Sequence, residues 1–116
     1  MKRISSADNP TVKLLHALAT SSRERRKLGQ TLLDGAHLVD TWLIGVGPPP
    51  LLVVSESGSR RAEIAALLGR AGEGTEIIEL SVDVVERRLR VFRGRGVAQI
   101  AHGVAELLAV ALRGVL

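Results

Sequence analysis

Hydrophobic positions in this chain fall into short blocks with two kinds of spacing. Between residues 10 and 20 the apolar side chains return every three or four positions, which is the period of an amphipathic helix. The run at 51–54 is continuously apolar, which is typical of a strand buried on both faces. Blocks of both kinds follow one another through short connections. The pattern therefore predicts alternating helices and strands.

The first predicted helix has a clear start signal. Asn9 is a good N-cap and Pro10 suits the first helical position. Its apolar face is formed by Val12, Leu14, Leu15, Leu18 and Ala19. Ser21 and Ser22 weaken the helix, and a basic cluster follows them. A short strand centred on Leu32 and Leu33 comes next, where Asp34 and Gly35 turn the chain into a second helix.

Later blocks continue the alternation. The second helix carries Leu38, Val39, Trp42 and Leu43 on one face, and the glycine- and proline-rich segment 45–50 ends it. The pattern then predicts a strand at 51–54, a turn at 55–59, a third helix, a strand at 76–80, a helix at 82–90 capped by Ser81, and a strand at 97–100. This order predicts a three-layer α/β/α sandwich with a mostly parallel or mixed sheet of about four strands.

The C-terminal segment, residues 104–116, has helical apolar spacing as well. The positions concerned are Val104, Leu107, Leu108, Ala111 and Leu112. We therefore expect an amphipathic helix or linker here, separate from a domain over residues 1–103. Such a helix packs on its own domain or pairs with a second copy, so a homodimer is one expectation.

Charge is distributed unevenly along the chain. Residues 1–33 hold seven Lys or Arg against two acids, residues 34–86 hold three against nine, and residues 87–116 hold six against one. If the fold brings the two basic ends together, they form one positive face that attracts phosphate backbones. Solvated helix surfaces are the alternative. The chain has no cysteine, no signal peptide and no membrane-length apolar run, so we expect a cytoplasmic protein.

Catalytic and metal-binding patterns are missing from the sequence. His16, His37 and His102 do not have metal-ligand spacing, and no phosphate-loop motif is present. Asp34 at a strand end could act as a base, but a role in a turn or helix cap is more common. We therefore predict no catalytic residue, no metal and no cofactor site in this chain.

Several residues resemble the N-terminal substrate-binding domain of the SpoU (TrmH-type) RNA methyltransferases. They are Asn9, Pro10, Lys13, Leu15, Leu18, Arg25, Gly29, the segment 32–35, and Gly96-Val97-Ala98. The resemblance covers about residues 4–102. Departures are Thr31 where the family usually has Phe, Asp34 where it has Glu, and Arg93-Gly94-Arg95-Gly96 in place of a Thr-Pro-Gln-Gly type of turn.

The resemblance implies a fold shared with the kink-turn-binding ribosomal proteins and a role in presenting structured RNA, ribosomal or transfer RNA. In that family a separate catalytic domain carries a trefoil knot, binds S-adenosylmethionine and methylates a ribose 2′-hydroxyl. The Asn-containing motifs of the knot domain do not occur here, because Asn9 is the last asparagine of the chain. The resemblance therefore implies an RNA-binding part of such an enzyme without its catalytic domain.

With one Trp, one Phe and no Tyr, the chain cannot build an aromatic stacking platform for bases. RNA recognition would act through phosphates and shape. The predicted RNA-binding residues are Lys13, Arg23, Arg25, Arg26, Lys27, Arg93 and Arg95. An alternative function is a stand-alone RNA-binding adaptor of the same fold without a methylation partner. A weaker one is a protein-interaction domain whose charge serves solubility.

Overall fold

The computed structural model describes residues 1–88 and 107–112. In this part of the chain there are five strands: β1 (Lys2–Ile4), β2 (Gln30–Asp34), β3 (Leu51–Ser55), β4 (Glu76–Leu80) and β5 (Leu107–Leu112). The helices are α1 (Pro10–Thr20), α2 (Ser22–Leu28), α3 (Ala36–Gly45), α4 (Glu56–Ser59), α5 (Ala62–Ala71) and α6 (Val82–Arg88).

All five strands form one sheet in the order β1-β4-β3-β5-β2. β1, β4 and β3 pair in parallel, whereas β5 is antiparallel to both of its neighbours, β3 and β2. β2 therefore runs in the same direction as β3. The sheet is mixed, and the predicted α/β sandwich is confirmed.

The two faces of the sheet are covered by different helices. One core joins side chains of α1 and α6, such as Leu15 and Val84, to Val53, Ile78 and Val110 of the sheet. The other joins α3 and α5 to the alternate positions of the same strands, which are Leu52, Val54, Leu107 and Ala109. Because successive strand residues point to opposite faces, β2, β3, β4 and β5 each contribute to both cores, whereas β1 contributes Ile4 to the first. The sheet is therefore the middle of three layers.

Local signals place several elements where the sequence predicts them. The Asn9 side chain accepts a hydrogen bond from the Thr11 amide at 2.8 Å and caps α1, with Pro10 at its first turn. Ser81 caps α6 in the same manner through the Val84 amide at 3.3 Å. Trp42 lies in the interior, as its position on the apolar face of α3 predicts.

The predicted C-terminal helix is wrong for residues 107–112, which form β5. The run Leu-Leu-Ala-Val-Ala-Leu satisfies helical spacing, but a continuous apolar run satisfies a strand covered on both faces equally well. Its neighbours decide the matter, because both edges of β5 pair with other strands. Residues 107–112 therefore do not support the expectation of a homodimer formed by a C-terminal helix.

Smaller differences concern short segments. The predicted turn at 55–59 contains the one-turn helix α4, and Lys2–Ile4 adds the edge strand β1. Arg3 of β1 forms ion pairs with Glu79 at 2.6 Å and with Glu56, which fasten this edge strand to its neighbours. The strand predicted at 97–100 lies outside the described residues. No helix in the described ranges is long and apolar enough to span a bilayer.

Candidate nucleic-acid interface

The basic cluster after the first helix is itself a short helix, α2. Ser21 separates it from α1, because its backbone amide donates to the Ala17 carbonyl at 2.9 Å and its hydroxyl accepts from the Glu24 amide at 3.1 Å. Gly29 ends α2 with a φ of 65°, a left-handed conformation that glycine adopts without strain. Ser21 and Gly29 therefore bound the basic cluster as a short helix of about two turns.

The four cations of α2 are not equivalent. Arg23, Arg26 and Lys27 are exposed, and no ion pair within the described residues holds them. Arg25 is half-buried, and its Nη1 donates to the Leu18 carbonyl oxygen at 2.6 Å. This carbonyl belongs to the last turn of α1, where helix carbonyls lack a partner in the helix. Arg25 therefore fastens α2 to α1, and its contact with RNA stays a prediction.

Lys13 lies on the exposed side of α1, beside a surface cavity of about 130 Å³. The cavity is lined by Ala7, Val12, Lys13, His16 and Arg88. Arg88 comes from the end of α6, so the cavity joins two elements that are far apart in sequence. Its Nη2 lies 3.4 Å from Asp8 Oδ1.

The fold thus places Arg88, from the basic end at residues 87–116, beside Lys13, from the basic end at residues 1–33. α1 and α6 cover the same face of the sheet, α2 is attached to α1 through Arg25, and residues 10–28 carry five Lys or Arg against one acid. The opposite helices, α3 and α5, carry one Arg against two acids, and Arg70 pairs with Asp40 at 2.7 Å across them. Arg93 and Arg95 lie outside the described residues.

The carboxyl ends of the parallel strands are the other place where α/β proteins bind ligands. Two serines there serve as caps: Ser55 Oγ accepts from the Gly58 amide at 2.9 Å, and Ser81 caps α6. Asp34 ends β2, and its Oδ2 has no hydrogen-bond partner. The cap of α3 is Gly35 without a side-chain hydrogen bond, so the capping role considered for Asp34 is wrong.

Burial raises the pKa of the Asp34 carboxyl to about 6, because the charged form loses solvation. His37 is exposed on α3. Within residues 1–88 and 107–112 no three His, Asp or Glu side chains come together as metal ligands would. The cationic layer, formed by the exposed side chains of Lys13, Arg23, Arg26 and Lys27, is therefore the better candidate site in the described structure.

His16, for which the sequence predicts no metal-binding role, is exposed on α1 and lines the cavity. His16 follows Lys13 by three residues, so the two side chains share one stripe of α1. The three-residue spacing of Lys13 and His16 is the sequence signal that places both side chains on one side of α1. Arg88 belongs to the basic end at residues 87–116, and the packing of α6 against α1 brings it to the cavity beside Lys13.

Comparison with solved structures finds RNA methyltransferases. An RNA 2′-O-ribose methyltransferase matches 95% of this chain with a TM-score of 0.66 and 22% identity. An rRNA methyltransferase from Sinorhizobium meliloti matches 94% with a TM-score of 0.60 and 21% identity. The SpoU methyltransferase AviRb from Streptomyces viridochromogenes matches 90% with a TM-score of 0.61 and 18% identity. The latter two are also seen with AdoMet bound.

These matches concern only part of each neighbour. The chain spans 37%, 36% and 33% of the three structures, about one third of their length. No protein-family model and no curated protein matches the sequence. At this level of identity the likeness establishes the architecture: the chain has the fold of one part of these RNA methyltransferases.

Proposed function

We propose that this chain is the RNA-binding domain of a SpoU-type, S-adenosylmethionine-dependent RNA 2′-O-ribose methyltransferase. It holds structured ribosomal or transfer RNA for a catalytic domain outside this chain. The observation that carries the proposal is the exposed cationic layer on α1 and α2, in a fold found in part of several RNA methyltransferases.

The arrangement of the cations supports binding through the RNA backbone. Arg23, Arg26 and Lys27 are free to exchange water for phosphate oxygens, since no acid of the described chain neutralises them. Arginine suits this role because its planar guanidinium can bind two phosphate oxygens at once. Trp42 is buried, so it is not available to stack on a base. Recognition therefore rests on the shape of the RNA and the positions of its phosphates.

The proposal assigns the methyl donor to the catalytic domain. At the carboxyl edge of the sheet, the hydroxyl groups of Ser55 and Ser81 accept hydrogen bonds as helix caps. When bound to the catalytic domain, S-adenosylmethionine supplies the methyl group. The residues of this chain bind and orient the RNA. Arg93 and Arg95 remain proposed contacts alongside Arg25.

The test is RNA binding at several salt concentrations. A structured RNA hairpin is titrated with the parent protein and with the triple variant Arg23→Ala, Arg26→Ala, Lys27→Ala, using fluorescence anisotropy. Neutralised phosphates release counterions, so we expect the parent Kd to rise steeply with salt. The triple variant should lose about one unit of salt slope for each cation that contacts a phosphate. Arg25 is left intact because it holds α2 against α1.

The matched control removes three cations elsewhere: Arg60→Ala, Arg61→Ala, Arg70→Ala. These residues lie at and within α5, which covers the other face of the sheet. We expect this control to keep the parent salt slope, since its net charge changes equally but its position differs. Equal slopes for all three proteins would contradict the proposed function. The adaptor alternative makes the same binding prediction and differs in whether a methyltransferase domain acts on the bound RNA.

A further inference from the structure

The cavity between α1 and α6 gathers basic groups from two directions. Lys13 and His16 approach it from α1, and Arg88 approaches it from the end of α6, while Ala7 and Val12 form its apolar wall. Its volume of about 130 Å³ is enough for a small hydrated group. The cavity therefore has room for a single anionic group.

Its chemistry favours a phosphate oxygen ligand. Lys13 offers an ammonium with three donors, Arg88 a planar fork of donors, and His16 a ring N–H. Among the described residues, Asp8 is the carboxylate that contacts this set. Its Oδ1 lies 3.4 Å from Arg88 Nη2. The Asp8 side chain is 80% exposed and the Arg88 side chain 48% exposed, so water screens this pair.

We propose that this cavity is a subsite for a backbone phosphate of the bound RNA, and that Asp8 competes with the phosphate for Arg88. This inference rests on the proposed function and extends its binding surface from α2 across α1 to α6. In the free protein, Asp8 holds Arg88 through one long contact. A phosphate replaces that contact with two charge-assisted hydrogen bonds from the guanidinium and adds the ammonium of Lys13.

Competition by Asp8 makes the inference testable through effects of opposite sign. Asp8→Asn removes the competing charge and keeps the size of the side chain, so we expect tighter binding, about 2- to 5-fold in Kd. Arg88→Gln and Lys13→Gln remove a phosphate ligand each. We expect each to weaken binding about 3- to 10-fold and to lower the salt slope by about one. The probe is an RNA hairpin with a 5′-hydroxyl, so that only backbone phosphates are available.

Two matched controls repeat these charge changes on the opposite layer. Glu63→Gln removes an acid that pairs with Arg61 at 2.5 Å, and Arg70→Gln removes an arginine that pairs with Asp40 at 2.7 Å. Both should leave the Kd within about 1.5-fold of the parent, because charge at a distance is screened by salt. Thermal melts of all five variants establish that each is folded at the binding temperature.

The outcomes separate this inference from the proposed function. If the Asp8, Lys13 and Arg88 variants behave like the controls while the α2 triple variant still loses salt slope, the cavity assignment is overturned and the proposed function stands. If the parent protein binds RNA without salt dependence, the proposed function fails, and the assignment of the cavity to an RNA phosphate fails with it. A titration with inorganic phosphate, followed by NMR, gives an independent readout. Amide shifts confined to residues 7–8, 12–16 and 88 support an anion site, and their absence opposes it.

Discussion

Arg25 illustrates what a residue's type does and does not reveal. In the sequence it stands among four equivalent cations of one basic cluster. In the structure its guanidinium donates to the Leu18 carbonyl at 2.6 Å, whereas Arg23, Arg26 and Lys27 face solvent. The charge could be read from the sequence. The use of that charge depends on the angle between two helices, which no local pattern specifies.

Asp34 carries the clearest pH dependence at the residue scale. Its folded pKa of about 6 lies above the ordinary aspartate pKa of 3.8. Between these values the folded state therefore binds more protons than the unfolded state, and the contribution of Asp34 to the free energy of unfolding falls as pH rises from about 4 to 6. At pH 7 the ionised carboxylate opposes folding.

We predict that Asp34→Asn stabilises the protein at pH 7 and has a smaller effect at pH 4. About 1 kcal/mol is a reasonable size, since each pKa unit corresponds to 1.36 kcal/mol and partial exposure reduces the effect. Urea unfolding of parent and variant at pH 4, 5, 6 and 7 measures it. Asp83→Asn is the control, because its side chain is 62% exposed. A parent-to-variant difference that does not change with pH would contradict the raised pKa.

At the scale of elements, the junction of α1 and α2 depends on one serine. Ser21 ends the first helix through its backbone amide and begins the second through its hydroxyl. α2 has seven residues, too few to be stable by helix propensity alone. Its position therefore depends on the cap and on Arg25. The sequence shows the two serines as a weak point of the helix, but not which of them is the cap.

Ser21→Ala should lower the free energy of unfolding by about 1 kcal/mol, the usual cost of losing a helix N-cap. RNA affinity should fall as well, because α2 carries three of the exposed cations. Ser22→Ala is the matched control. It changes the exposed first residue of α2, and we expect a change within about 0.5 kcal/mol. Urea unfolding and anisotropy titration measure the two effects. Equal effects of the two substitutions would show that Ser21 is not the cap that matters.

At the scale of the whole molecule, β5 holds the two halves of the sheet together. It lies between β3 and β2 and pairs with both. Leu108 and Val110 fill the core beneath α1 and α6, and Leu107 and Ala109 fill the core beneath α3 and α5. A segment near the end of the sequence is therefore central in space.

Deletion of residues 107–116 should abolish cooperative unfolding. Without β5 the facing edges of β2 and β3 lose their hydrogen-bond partners, and both cores lose buried side chains. A thermal melt followed by circular dichroism measures this. Leu112→Ala is the control in the same strand: Leu112 is 52% exposed, so we expect a change within about 0.5 kcal/mol. A sharp melting transition in the shortened chain would disprove the central role of β5.

The sequence by itself determined the local features of this protein: the Asn9 and Ser81 caps, the α1, α3 and α5 helices, the β3 and β4 strands and the basic character of α2. Such features follow from interactions between residues close in the chain. Tertiary structure alone decided that residues 107–112 form a strand, that Arg25 binds a helix end and that Arg88 meets Lys13 at one cavity. The physical reason is that apolar periodicity and charge are compatible with several partners, and packing between distant segments selects one of them.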